Sequence, residues 1–196
     1  MQLLPKAKAI IIFTGPVGSN RKSIAEMVGT TLSLTHIVAY TTRKPRSYET
    51  DGQDYHFVDI SSFRLAEQND EFIEEHQLKD VHYGIKTADI MTAFETHDFV
   101  YVLLNRAGSD VLKRIYGDHV IRIFVHSNKD QVRERLLSRG DTPEVVESYL
   151  LQYDVEIAYK DQCEYEFENK DIIDSTYEIT KVLDNWLQRA LIELDD

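Results

Sequence analysis

The stretch AIIIFTGPVGSNRKSIAEMVGTTL, residues 9–32, decides how the chain is read. AIIIF (9–13) is an unbroken apolar run, the pattern of a strand buried on both faces. From residue 23 to 32, Ile24, Met27, Val28 and Leu32 recur at helical spacing. A glycine-rich turn between such a strand and helix is an anion cradle, because backbone N–H groups and the helix N-terminus face the bound charge. In the phosphate-binding loop of nucleotide enzymes, a Gly-Lys-Ser/Thr run closes that turn. Its lysine reaches the β- and γ-phosphates and its hydroxyl holds Mg²⁺. Here Gly15 and Gly18 are present, but Asn20-Arg21-Lys22 stands where Gly-Lys-Ser belongs.

Two alignments of the loop are open. Without a gap, Arg21 takes the lysine position and Lys22 the metal-ligand position. With one extra residue, Lys22-Ser23 become the Lys-Ser pair. The ungapped spacing is favoured because Ile24 then falls where the helix first turns inward. Arg21 would then offer a wide planar fork in place of a compact ammonium. Lys22 beside a metal would be repelled by roughly 8 kcal/mol at ~4 Å and an effective dielectric of ~20. It must therefore swing away, replace the metal or abolish it.

Beyond the loop, strand and helix signals alternate, which predicts an α/β fold with a parallel sheet flanked by helices. HIVA (36–39), FVYVLL (99–104) and VIRIFV (120–125) read as strands, and EFIEEHQ with VHYGIK as a small hairpin-like insertion. Asn128 to Arg139 reads as a helix, and DTPEVVESYLLQYDVEIAY as another that opens with proline. In the last helix Ser175 and Glu178 have capping-box spacing. Ile179, Val182, Leu183, Trp186, Leu187, Leu191 and Leu194 then follow as a core stripe.

The 196 residues suit one domain, and a formal net charge of -12 argues against nucleic acid as a partner. The single cysteine, Cys163, cannot form an internal disulfide. The apolar run near the N-terminus is too short for a signal-peptide core, and nothing approaches a membrane span, so a cytoplasmic protein is expected. The seven histidines show no spacing that reads as a metal site.

A second constellation lies in AYTTRKPRSYETDGQDYHFV, residues 39–58. Arg43 and Arg46 flank Pro45, with threonines before them and Tyr55 after, a set able to grip phosphate by charge-assisted hydrogen bonds. Downstream are Glu74 in EFIEEHQ and Tyr83 in VHYG. A carboxylate there can accept the N1–H and N2–H of guanine, which adenine cannot offer.

Together with the loop, this resembles the guanylate kinase family. TTRKPR, DGQDYHFV, EFIE, YG, RLLSRG and EIAY fall in family order over nearly the whole chain. The resemblance implies a P-loop nucleoside monophosphate kinase fold in a single domain: a core (1–36, 97–125 and 160–196), a small GMP-binding insertion (about 37–86) and a helical lid (about 127–159). It implies Arg43, Arg46, Tyr55, Glu74, Tyr83 and Asn105 as GMP-binding residues. Gly15, Gly18, Asn20 and Ser23 would form the phosphate loop, and Arg21, Lys22, Arg135 and Arg139 would carry catalysis. His76 and His82 border the implied guanine pocket and are assigned no role.

The departures from the family pattern cluster on one side. Besides the loop, Leu103 and Asn105 stand where the family has acidic residues near Mg²⁺ and GMP. A lid arginine falls near Tyr149 or Leu150, and two guanine-side serines fall on Ala39 and Ile85. No metal-ligand set is assigned. The expected ligands are GMP and, if the protein is active, ATP with Mg²⁺. The expectation is GMP binding with weak ATP-dependent transfer. The alternatives are a non-catalytic module that holds a nucleotide or phosphoprotein partner, and a fully active enzyme with a slipped loop.

Overall fold

A computed structural model describes residues 8–78 and 80–192. The buried run after Lys8 forms β1 (Ala9–Thr14), and every residue of it is buried. Then come α1 (Arg21–Thr31), β2 (Thr35–His36), β3 (Tyr40–Thr41) and β4 (His56–Phe57). These lead into α2 (Ile60–Gln68), β5 (Phe72–Leu78), β6 (Val81–Lys86), α3 (Thr87–Thr96) and β7 (Phe99–Leu103). The chain continues through α4 (Arg106–Tyr116), β8 (Val120–His126), α5 (Lys129–Ser138), α6 (Pro143–Ile157), β9 (Tyr165–Glu168) and α7 (Ile172–Ile192).

Two sheets result. The first has the order β2-β7-β1-β8-β9 with parallel pairing throughout. β1 lies at its centre, which is why that strand is apolar at nearly every position. One face packs Ile10, Ile12, Val100 and Val102 against Ile90, Phe94 and Leu112. The other packs Ile11, Phe13, Ile121 and Ile123 against Ile24 and Val28 of α1 and Ile179, Leu183 and Leu187 of α7. The second sheet, β4-β3-β6-β5, is smaller, and the EFIEEHQ/VHYGIK segments are its antiparallel hairpin, as the sequence suggests.

Three local expectations are corrected. HIVA is not one strand. Thr35–His36 pairs with β7, Ile37 N–H still donates to the Tyr101 carbonyl (2.9 Å), and the Ala39 carbonyl already accepts from His56 N–H (2.9 Å) of the second sheet. The apolar residues of this segment pack where the chain crosses between sheets. The first helix opens at Arg21, before the apolar repeat begins. Ser175 and Glu178 form no capping box, because α7 begins a turn earlier. The Asp171 carboxylate accepts from Ile173 N–H (2.8 Å) and Asp174 N–H (3.1 Å), while the Ser175 hydroxyl donates to Asn169 Oδ1 (3.3 Å). Of the α7 stripe, Ile179, Leu183 and Leu187 are core with Trp186 packed against them, and Val182 is half-buried; the Leu191 side chain and Leu194 lie outside the described residues.

Candidate nucleotide site

The loop after β1 is fixed by its backbone. Gly15 has φ +136°, and a Cβ there would lie 2.0 Å from the Val125 carbonyl oxygen, so only glycine fits. Asn20, at the position of the missing glycine, has φ 62°. Asparagine is among the few residues that tolerate this left-handed conformation, so the turn keeps its path without glycine. Arg21 then opens α1 and Ile24 is fully buried, which is the ungapped spacing. Ser23 is exposed on the helix.

The loop's carbonyls are tied back from behind. Asn169 Nδ2 donates to the Ser19 carbonyl (2.8 Å) and Arg135 Nη1 to the Gly18 carbonyl (3.3 Å). Arg135 is held in turn by the Ser127 hydroxyl (2.6 Å). No side chain caps the start of α1, so its first N–H groups keep the orphan donors that suit an anion.

The two cations in the motif positions face elsewhere. Arg21 is half-buried, and its Nη1 donates to the Gly15 carbonyl at 2.5 Å. Burial lowers its pKa, a shift that the charges of Tyr55 and Glu156 oppose. Glu156, near it, is pushed up by burial against the pull of Arg21. Lys22 has swung away from the loop and pairs with Asp54, with Glu26 at 3.6 Å. Asp54 belongs to the turn before β4 and also accepts from Thr50 N–H (2.7 Å). Burial and the charge of Lys22 together lower His36 to about 4.

These residues do not fit Mg²⁺ in the manner of the motif. An ammonium occupies the hydroxyl's position, Ser23 points outward, and Leu103 has no donor atom. The Asn105 side chain is spent capping α4, accepting from Gly108 N–H (2.9 Å). Among the described residues no cluster of three His, Cys, Asp or Glu side chains is arranged to hold a metal ion.

The other wall is built differently. Arg43 makes a bidentate pair with Glu49, at 2.6 Å for both contacts, and its guanidinium lies 4.9 Å over the Tyr55 ring and 5.4 Å over Phe57. Glu49 also accepts from Arg46 N–H (2.8 Å), and Arg46 Nη1 is 3.6 Å from it. Burial pushes the Glu49 carboxyl up, but the hydrogen bonds from Arg43 and the Arg46 backbone outweigh it and hold the pKa at about 2. The Glu49 side chain is only 4% exposed, whereas that of Arg46 is 45% exposed. Tyr83 stands edge-on to Tyr55 at 5.9 Å, its pKa raised by burial and by the neighbouring tyrosine. Glu74 lies further along the same sheet and is buried.

Of the sequence candidates, Arg43, Arg46, Tyr55 and Tyr83 come together on this wall, with Glu74 at its far end. Gly15, Gly18, Asn20, Arg21 and Arg135 come together at the loop. Arg139 stands apart from both, paired with Asp141 on α5's exposed end. Leu150 is buried and Tyr149 packs on the α5–α6 cluster, so neither supplies a cation. The sequence reading missed Glu49, Asp54, Ser127 and Asn169. Only Glu49 had a local signal, a carboxylate three residues after Arg46 in the same turn.

A sequence model of the guanylate kinase family matches residues 6–186. The chain belongs to the guanylate kinase family. It is 30% identical to a guanylate kinase of Bacteroides thetaiotaomicron over 184 residues, covering 92% of this chain and 90% of that one. It is 26% identical to a guanylate kinase of Porphyromonas gingivalis, over 92% of this chain and 98% of that one. A crystal structure of guanylate kinase from Anaplasma phagocytophilum superposes with a TM-score of 0.75 at 21% identity, covering 95% of this chain and 89% of that one. That likeness shows the shared P-loop nucleoside monophosphate kinase fold.

Proposed function

We propose that this guanylate kinase family member binds GMP and transfers a phosphoryl group to it from ATP only weakly. In this reading Arg43, Arg46, Tyr55 and Tyr83 hold the monophosphate and Glu74 meets the guanine edge. The second sheet is the GMP-binding part, and α5 and α6, within about 127–159, form the lid. The observation that carries the proposal is the fate of the two loop cations: Arg21 is bonded to Gly15 and Lys22 to Asp54. Phosphoryl transfer works by positioning and by neutralising developing charge, so two cations engaged elsewhere, with no hydroxyl in the metal position, predict slow chemistry. ATP with Mg²⁺ remains the donor that the family resemblance implies. GMP is then the principal ligand and ATP the weaker one; a cytoplasmic site of action and the absence of nucleic-acid partners belong to the same reading.

Thermal unfolding with GMP, with Mg-ATP and with both tests it. A ligand at a hundred times its dissociation constant stabilises by about 2.7 kcal/mol, enough for a shift of several degrees. GMP alone should give that shift and Mg-ATP alone little. A larger shift with Mg-ATP than with GMP would reverse the proposal.

The exposure of Arg46 favours a second reading, in which the same grip holds a phosphate carried by a protein. A fully active enzyme using Lys22-Ser23 as the motif pair has less support, because Ser23 is exposed and Asn20 sets the ungapped spacing.

A further inference from the structure

The Glu74 end of the wall contains a contact that the reading above does not use. Glu74 and His76 lie two residues apart on β5, so their side chains share one face of the strand. The strand's register shifts between Phe72 and Glu74, a bulge that re-aims the residues after it. His76 sits directly opposite Tyr83 on β6, and the two rings stack at 5.2 Å with 12° between their planes. The His76 Nδ1 lies 2.7 Å from Glu74 Oε1. The contact suits an imidazole N–H donating to the carboxylate oxygen.

The carboxylate is enclosed on its other sides. Its side chain is 2% exposed against 24% for His76. Ile85, fully buried, stands opposite it on β6. Gly108 in the first turn of α4 approaches so closely that a Cβ there would lie 2.7 Å from Oε1. The remaining oxygen, Oε2, is buried and has no hydrogen-bond partner among the described residues. A buried acceptor without a partner is costly, and a ligand that brings a donor relieves that cost. His76 is thus the one side-chain hydrogen-bond partner of Glu74 among the described residues, and it is more exposed than the carboxylate it covers.

We infer that His76 is a gate on the base pocket, a residue that sets nucleobase affinity by occupying Glu74 until a base with adjacent N–H donors takes its place. The inference rests on the GMP reading above and deepens it. A guanine presents two donors, enough to replace the imidazole on Oε1 and satisfy Oε2. A base without that pair leaves one oxygen unserved. His76 rests on Tyr83 and is far more exposed than Glu74, so it can leave without unpacking the core.

The test is calorimetric binding of GMP and of ribose 5-phosphate, which has the phosphate but no base. His76→Ala should tighten GMP about tenfold, the worth of one hydrogen bond to a charged acceptor, and leave ribose 5-phosphate unchanged. His76→Asn, which keeps a donor near Nδ1, should retain the affinity of the unaltered protein. His76→Phe keeps a ring on Tyr83 and drops the donor; it should tighten GMP about threefold, and it serves if the alanine variant does not fold. GMP binding that is unchanged or weakened in both the alanine and phenylalanine variants, with ribose 5-phosphate still bound, overturns the gate alone. Failure of every variant to bind either compound overturns the phosphate grip and the gate with it.

Discussion

The loop and the wall on the second sheet use the same side chain in opposite ways. At the loop, Arg21 is half-buried and turned back on a backbone carbonyl of its own turn. On the other wall, the Arg43 guanidinium lies over Tyr55 and Phe57 and is aligned by a carboxylate. Both positions keep a positive charge, yet only the second presents it as a fork that can exchange one anion for another. A planar guanidinium on an aromatic face is pre-organised, so little rotamer freedom is lost when it takes a phosphate. The loop arginine would first have to break its contact with Gly15. Conservation of charge is therefore a weaker guide to function than the partner that holds the charge.

The contrast can be broken at the loop. Replacing Arg21-Lys22 by Lys-Ser should raise ATP:GMP transfer by roughly 10²-fold in a coupled assay, the scale of one restored electrostatic contact. Brisk turnover in the unaltered protein that slows on this swap would mean that the loop cations are working where they are. On the other wall, Arg43→Ala should weaken GMP binding about 30-fold by calorimetry, as expected for loss of a charge-assisted pair. An unchanged dissociation constant would leave the two walls equivalent.

A smaller effect sharpens the comparison through acid. Glu49 has a folded pKa of about 2 against an ordinary 4.5, so its contribution to stability is full above about pH 4.5 and is lost as pH falls toward 2. Glu49→Gln should flatten that limb of the pH–stability curve and lower the melting temperature at pH 7 by a few degrees. A mutant curve that still falls in parallel with the original between pH 4.5 and 2 would show that the Arg43–Glu49 pair is not coupled to folding.

The sheet core was legible because its signal is local. AIIIF, FVYVLL and VIRIFV are apolar runs long enough to be central strands, and each is one. The loop was legible as a turn between a strand and a helix, and the motif order carried the family. What could not be read were the partners. Lys22 meets a carboxylate 32 positions away, and Asn169 reaches a loop carbonyl 150 positions away. No periodicity announces such contacts. The Ser175–Glu178 spacing misled for a related reason: Asp171 competes for the same role a turn earlier, and capping patterns are too short to rank. His76 was visible but mute, since its meaning depends on which side of β5 the bulge turns toward Glu74.

The Lys22–Asp54 contact joins the first turn of α1 to the turn that precedes β4. Lys22 is 38% exposed and Asp54 13%, so solvent screens the pair from the lysine side and its contribution stays on the order of 1 kcal/mol. A contact that weak ties the two turns without locking them, and an arriving phosphate dianion can draw the ammonium off Asp54 at little expense.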